Sequence, residues 1–252
     1  MMRLFRSSPD RVDPAPSAVD TEPQAPGGFR GRVLRAAVER ALRAQHPLVT
    51  QHIAKIRRKD PGSTPAEVVE ALGRRYQLAV AGLGAAGGGI AIVPAIGTAV
   101  SLATATAEAV AVLDAAVLYT LAVAEVHRLP VDDVERRRTL VLGIVAGEGG
   151  TALMRKVTGG NDRWARGVVE ALPLRVLGPV DNILTRWFVK RFVTRQVARA
   201  VGRARPFGAG VLIGGVGNVV AARAVIRAAE RAFGPPPARW PEGSVSPAPS
   251  AA

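Results

Sequence analysis

Three acidic side chains interrupt the most apolar part of the sequence and are its first candidates for chemistry. Glu108, Asp114 and Glu125 lie among Ala, Val and Leu residues. A carboxylate among apolar groups costs free energy unless it is paired, and inside a membrane it would be a functional candidate. Asp114 and Glu125 share a helical face because about three turns separate them, whereas Glu108 points elsewhere. They indicate a buried polar site or, as we favour, pairing with arginines inside a helical bundle.

Recognisable catalytic motifs are missing from the sequence. His46, His52 and His127 show no metal-ligand spacing, and the glycines of Gly147–Gly150 lack the Lys-Ser or Lys-Thr that follows in a phosphate loop. The chain has no cysteine, which excludes disulfides and thiolate metal sites. The sequence therefore favours a non-enzymatic protein with no metal and no cofactor.

A basic segment begins near residue 186. The chain carries 34 basic and 20 acidic residues, a net charge of +14, and this segment contains no acid. Its candidate contact residues are Arg186, Lys190, Arg191, Arg195, Arg199 and Arg203. Phe188 and Phe192 lie beside them at helical spacing, and such a face suits an anionic membrane surface. The same face could lie along a nucleic-acid backbone, or be solvated arginines above a core-facing valine stripe.

The apolar stretch that holds the acids organises the rest of the chain. Between Leu78 and Ala107 no side chain is charged, which is more than the roughly 20 residues needed to cross a bilayer core. Abundant Gly and Ala and the break at Pro94 make each arm a weak spanning segment. Pro94–Gly97 instead predicts a tight connection within a helical hairpin that ends near Val126. The hairpin is either buried in a soluble core or dips into a membrane.

Composition and glycine spacing predict an all-α multi-helix bundle around this hairpin. Hydrophobic residues make up 48% of the chain but aromatic residues only 4%, so the core must be built mainly from Ala, Val and Leu. Ala is the best helix former, while sheets prefer β-branched and aromatic residues. Gly84 with Gly88, and Gly210 with Gly214, repeat at four-residue spacing, which allows close helix packing. We therefore expect the two glycine segments to pack together.

Proline-rich ends delimit a single helical domain over residues 30–233. Residues 1–29 and 234–252 have too little apolar content for burial to offset the entropy of ordering, so both are predicted to be disordered. Trp240 is the one residue of the second tail expected to fold back on the body. The first segment lacks the apolar core of a signal peptide, so the chain is predicted not to be secreted.

Prolines and capping residues predict the helix boundaries inside this domain. A helix break is predicted at Pro47, and a helix start at Pro65 after an N-cap at Ser63 or Thr64. Asp132 is predicted to cap the helix that follows the hairpin. A connector bounded by prolines at 173 and 179 is predicted to precede the long basic helix.

Several of these features occur together in a known family. They are the Gly/Ala hairpin around Pro94–Gly97, the pair Asp114 and Tyr119, and the late glycine-rich segment that ends at Asn218. From about Pro65 to Gly234 the chain resembles the EcsC family of bacterial proteins, in particular its actinobacterial members. The founding member is encoded beside the parts of an ABC transporter, so the resemblance implies a role near a membrane or transport complex. It implies no biochemical activity that could be assigned to residues.

These observations define the candidate sites and the functional hypotheses. The candidate buried polar site comprises Asp114, Tyr119, Glu125 and Asn218, although Asn218 could instead cap or cross-link backbone groups. Our leading hypothesis is a non-enzymatic, membrane-associated helical protein in the cytoplasm or on the cytoplasmic side of the membrane, with an anionic membrane surface or membrane complex as its partner. The alternative is a soluble module that binds nucleic acid through the basic segment. A third hypothesis, an enzyme using Asp114 and Tyr119, requires a polar cleft there.

Overall fold

The computed structural model describes residues 29–90, 98–187 and 209–240, and for some helical residues near the gaps it describes the backbone alone. Within these ranges the chain forms helices that pack against each other, and it forms no strand. The predicted all-α fold class is therefore confirmed.

The first helix, α1, is one continuous helix over Phe29–Lys59. The break predicted at Pro47 is wrong. An internal proline removes a backbone hydrogen bond, but most helical stability in proteins comes from packing of an apolar face. Leu42, Val49 and Ile56 are buried along α1 and pack it onto the core, mainly against the third helix. This packing explains why the helix continues through the proline.

The second helix, α2, spans Pro65–Ile90 and begins where the sequence predicts. The Thr64 backbone N–H donates to the Glu67 carboxylate (2.7 Å), and the Glu67 N–H donates to the Thr64 hydroxyl oxygen (3.3 Å). This reciprocal capping box satisfies two N–H groups at the helix start. The hydrogen bonds from Thr64 also lower the pKa of the Glu67 carboxyl.

The third helix, α3, spans Thr98–Val126 and runs back along α2. The predicted connection at Pro94–Gly97 lies outside the described residues. In the described chain one segment, Ala107–Val126, is long and apolar enough to cross a membrane, and 61% of it is buried inside the helical body. The core helix of a soluble protein has the same length and composition.

The C-terminal end of α3 is closed by a backbone turn. Arg128 adopts a left-handed conformation (φ 52°), its N–H donates to the Glu125 carbonyl, and the Leu129 N–H donates to the Ala124 carbonyl. These two bonds, each 3.0 Å long, form the Schellman arrangement that satisfies carbonyl groups at a helix end.

Three shorter helices follow. The first of them, α4, spans Val134–Val145, and its N-cap is Asp133, not the predicted Asp132, because Asp133 accepts a hydrogen bond from the Arg136 N–H (2.9 Å). The other two are α5, Glu148–Val157, and α6, Trp164–Arg166, which continues as a π-helical turn over Gly167–Ala171. Trp164 of α6 is fully buried in the core.

The last two helices complete the body. In the described chain, α7 occupies residues 174–187 and runs through Pro179, so the predicted connector between the two prolines is wrong. The final helix, α8, spans Ala209–Phe233 and packs extensively on α2. Gly73 of α2 faces Ile226, and Val80 faces Asn218. The two helices are therefore antiparallel.

A short strap of residues 234–240 follows α8 and returns across the body. Trp240 donates its indole N–H to the Ser63 carbonyl oxygen (2.7 Å), and the Arg57 guanidinium lies 4.5 Å from the centroid of the Trp240 ring. This contact is the fold-back predicted for Trp240. Residues 1–28 and 241–252, where disorder is predicted, lie outside the described residues.

Candidate functional site

The two acids predicted to share a buried face have different surroundings. Asp114 pairs with Arg40 of α1 (Nη2 to Oδ2, 3.3 Å) at a partly exposed position. Pairing with an arginine is the interpretation we favoured, although the pair lies at the edge of the bundle. Glu125 is exposed near the end of α3, so its assignment to a buried site is wrong. The physical reason is that neighbouring elements cover Ala124 and Val126 on either side of it but leave the side of α3 that carries Glu125 open to solvent.

Tyr119 packs inside the body against a second tyrosine. Its ring stacks on that of Tyr76 from α2, with centroids 5.0 Å apart and planes 11° from parallel. Burial raises the pKa of both phenols, and the negative charge of Glu230 raises that of Tyr119 further. Tyr119 therefore stays protonated at physiological pH and can donate a hydrogen bond.

Asn218 joins three helices in the interior. Its side-chain Nδ2 donates to the Val80 carbonyl oxygen (3.2 Å) and to Oε1 of Glu108 (3.3 Å). Asn218 thus cross-links a backbone group, which is one of the two roles predicted for it. It also binds the carboxylate of Glu108. Glu108 is not among the four predicted site residues, yet it is buried on α3. The small apolar residues around Glu108 in the sequence were the available signal that this acid is buried.

The four residues of the predicted buried polar site do not converge. Asp114 faces α1, Tyr119 faces α2, Asn218 lies between α2, α3 and α8, and Glu125 faces solvent. Asp114, Tyr119 and Asn218 act separately as contacts between helices, and Tyr119 also lines a cleft.

This cleft lies between α2, α3, α8 and the strap, and has a volume of about 360 Å³. Tyr119, His127 and Glu230 are among its polar lining residues. The His127 ring nitrogens face two carbonyl oxygens, with Nδ1 2.9 Å from Val123 and Nε2 3.3 Å from Gly234. The ring also stacks on that of Phe233, with centroids 5.1 Å apart. The histidine therefore fixes the strap over one end of the cleft.

The predicted basic contact surface is described only at its beginning. Arg186 is exposed on α7, whereas Lys190, Arg191, Arg195, Arg199 and Arg203 lie outside the described residues. Two exposed apolar side chains flank Arg186, namely Ile183 and Trp187, which is 53% exposed. Ile183 and Trp187 are one helical turn apart and share a face. This apolar face leads directly into the basic segment.

The predicted helix-packing glycines lie on the helix pair α2 and α8. Gly84 is buried, whereas the surroundings of Gly88, Gly210 and Gly214 are not described. Val80 faces Asn218 in the antiparallel pair. A step of four residues along α2 and four back along α8 brings Gly84 opposite Gly214, and a second step brings Gly88 opposite Gly210. The packing of these glycines remains a prediction.

A buried carboxylate that is not among the predicted site residues lies between α4 and α7. Asp181 accepts a hydrogen bond from the Thr139 hydroxyl, and its Oδ2 lies 3.7 Å from Nε of Arg138. Burial raises the pKa of Asp181 to about 6, against the opposing effects of Thr139 and Arg138. The available signal was an acid among apolar residues at the start of the predicted long helix, just after Pro179.

The described residues form an all-α protein whose polar contacts either cap and brace single helices or join neighbouring ones. Within the described ranges, no three His, Asp or Glu side chains are grouped in a way that could hold a metal ion. Comparison of the chain with protein-family models, characterised proteins and solved structures finds no match.

Proposed function

We propose that this protein is a non-enzymatic helical protein that associates with an anionic membrane surface. The observation that carries the proposal is the exposed face of α7, where Ile183 and Trp187 lie one turn apart beside Arg186. One edge of the Trp187 ring rests on Gly149 of α5, and about half of the side chain stays accessible. Tryptophan is enriched at membrane interfaces because its ring is apolar and its N–H is polar. Arginine beside it adds attraction to anionic headgroups.

The outer face of α2 supports the same proposal. Leu78 is 72% exposed, and Gly82 and Ala85 follow it on the same exposed face. This face has no charge from Leu78 onward, although most soluble helices place charged groups on their outer side. Contact with the headgroup and acyl boundary of a bilayer would cover it. By resemblance to the EcsC family, we extend the proposal to an accessory role beside a membrane or transport complex on the cytoplasmic side.

Vesicle flotation tests the proposal directly. We expect the protein to float with vesicles of phosphatidylglycerol and phosphatidylcholine at low salt, to be released as NaCl rises, and to bind pure phosphatidylcholine weakly. Trp187→Ala should weaken binding at least about fivefold, because a buried tryptophan contributes well over 1 kcal/mol. Leu174→Ala is the matched control, since Leu174 is also exposed on α7 but lies on a different side of it.

Two outcomes would overturn the proposal. The first is recovery of the native protein entirely in the soluble fraction with no vesicle binding. The second is salt-sensitive binding to duplex DNA that exceeds vesicle binding and is lost when Arg191, Arg195 and Arg199 become alanine. That result would favour the nucleic-acid module instead, because phosphate contacts make affinity fall steeply with salt.

A further inference from the structure

The cleft beside Tyr119 has the dimensions and composition of a small-molecule site. Its volume of about 360 Å³ falls in the range of ligand pockets, which are mainly apolar with a few polar groups. Apolar side chains from two helices, such as Val69 and Ile226, form its walls, and Tyr119 lies between them. Tyr119 is 3% exposed, so its ring is fixed by packing where it lines the cleft.

The charged groups of the cleft leave one carboxylate for a ligand. Glu70 and Arg74 both line it, and they form an ion pair with each other. Glu230 also lines it, and none of the ion pairs between described residues uses Glu230. Glu230 is exposed and lines the same cleft as Tyr119, and its negative charge adds to the effect of burial in raising the pKa of the Tyr119 phenol.

Aromatic rings and a backbone strap border one end of this open cleft. Phe233 and His127 stack on each other, and His127 faces the Gly234 carbonyl of the strap. Aromatic rings beside a carboxylate attract a cation, because the ring faces and the carboxylate are both negative in potential. An anion would meet the unpaired Glu230 carboxylate and be repelled. The protein as a whole carries a charge of +14, so an acidic cleft is not a consequence of its composition.

We infer that this cleft binds a small organic ammonium compound, with the ammonium group between the Glu230 carboxylate and the Tyr119 phenol oxygen and its apolar body against Val69 and Ile226. The inference does not rest on membrane association, because the cleft uses none of the residues of the proposed membrane face.

Three probes of similar size separate the contribution of charge to binding from that of apolar contact. Benzylamine carries an ammonium group, benzyl alcohol has the same ring without charge, and benzoate carries the opposite charge. Titration followed by protein NMR should show saturable binding of benzylamine at least about tenfold tighter than that of benzyl alcohol, since a charge-assisted hydrogen bond is about twice as strong as a neutral one. Benzoate should bind most weakly.

Matched variants locate the contact. Glu230→Gln should weaken benzylamine binding about tenfold and leave benzyl alcohol binding unchanged, because only the charge is removed. Tyr119→Phe should weaken benzylamine binding by a smaller factor. Glu125→Gln is the control, since Glu125 is an exposed acid on α3 outside the cleft. Equal binding of all three probes, an unchanged affinity in Glu230→Gln, or no saturable binding would overturn the inference.

The ammonium group could belong to a free amine or to a lipid headgroup. Glycerophosphoethanolamine supplies the headgroup without acyl chains. Tighter binding of this compound than of benzylamine would assign the site to a lipid headgroup, and the reverse order would assign it to a free amine. Failure of all the ammonium probes would overturn the inference even if the protein floats with anionic vesicles.

Discussion

Nδ2 of Asn218 lies 3.3 Å from Oε1 of Glu108, which joins α8 to α3 inside the apolar body. The same nitrogen donates to the Val80 carbonyl oxygen of α2. One side chain therefore fixes the relative positions of the three helices that carry both glycine-rich segments. A buried polar group that loses its partner costs about 1–3 kcal/mol, so this contact has a measurable consequence.

We expect Asn218→Ala to lower the free energy of unfolding by about 2 kcal/mol, because the Val80 carbonyl loses a donor and Glu108 loses one of its contacts. Urea unfolding followed by circular dichroism measures this change. Asn182→Ala, at an exposed position on α7, should change stability by less than about 0.5 kcal/mol. Equal effects of the two substitutions would contradict the assigned role of Asn218.

Asp181 should make stability depend on pH. Its pKa is raised from 3.8 to about 6 in the folded protein, so between these values the folded state keeps a proton that the unfolded state releases. The stabilising effect is fully present below about pH 4 and is lost as pH rises through about 6. A shift of about two pH units corresponds to about 3 kcal/mol. Urea unfolding from pH 4 to pH 7 measures this dependence.

The effect of Asp181 is isolated by comparison with Asp181→Asn, which cannot titrate. The stability of the natural protein relative to Asp181→Asn should fall by about 2–3 kcal/mol between pH 4 and pH 7. Asp162→Asn is the control, because Asp162 belongs to an exposed pair with Arg155, and such pairs contribute about 0–1 kcal/mol. A pH-independent difference between natural protein and Asp181→Asn would show that this carboxyl is not buried as described.

Two glycines should respond to alanine in opposite directions. A Cβ at Gly150 would lie 2.3 Å from the Gly143 carbonyl oxygen and 2.7 Å from the Ala146 Cβ. Gly150→Ala should therefore lower the free energy of unfolding by about 2 kcal/mol or more. A Cβ at Gly82 would meet nothing within 4 Å, so Gly82→Ala should raise stability by about 0.5–1 kcal/mol in its helix. If thermal unfolding shows that both substitutions raise stability, or that both lower it, the described packing of α5 on α4 is contradicted.

Cysteine cross-linking can test the predicted helix packing. The chain has no cysteine of its own, so any disulfide that forms must join the two introduced cysteines. Gly84→Cys with Gly214→Cys should form a disulfide on mild oxidation, because the antiparallel register of α2 and α8 brings these positions together. Gly82→Cys with Gly214→Cys is the control, since Gly82 is exposed. If the control pair forms its disulfide faster, the antiparallel register of α2 and α8 does not extend to Gly84 and Gly214.

Graded substitutions of Trp240 should separate the two contacts of the strap. Trp240→Phe keeps a ring beside Arg57 but loses the N–H that donates to Ser63, and should cost about 1 kcal/mol. Trp240→Ala also loses the cation–π contact and should cost about 2 kcal/mol. Urea unfolding measures both, with Arg239→Ala as an exposed control. If neither substitution lowers stability, the strap does not contribute to the fold.

Local signals in the sequence were sufficient for the fold class and for some boundaries. Ala-rich composition predicts helices without reference to any distant residue. The start of α2 follows from Thr64, Pro65 and Glu67, which are neighbours in the chain and cap the helix by themselves. The fold-back of Trp240 could be anticipated because a large ring in a polar tail gains free energy by burial.

The tertiary structure alone decided which polar groups meet. Pro47 and Pro179 remain inside helices because contacts with distant elements outweigh a local loss. Glu108 is buried and Glu125 exposed because the neighbours around α3 decide which of its acids face the interior. Spacing along one helix shows which residues share a face, but not which face its neighbours cover. The cleft at Tyr119 likewise depends on Glu230, which is far from it in sequence and adjacent only after α8 packs on α2.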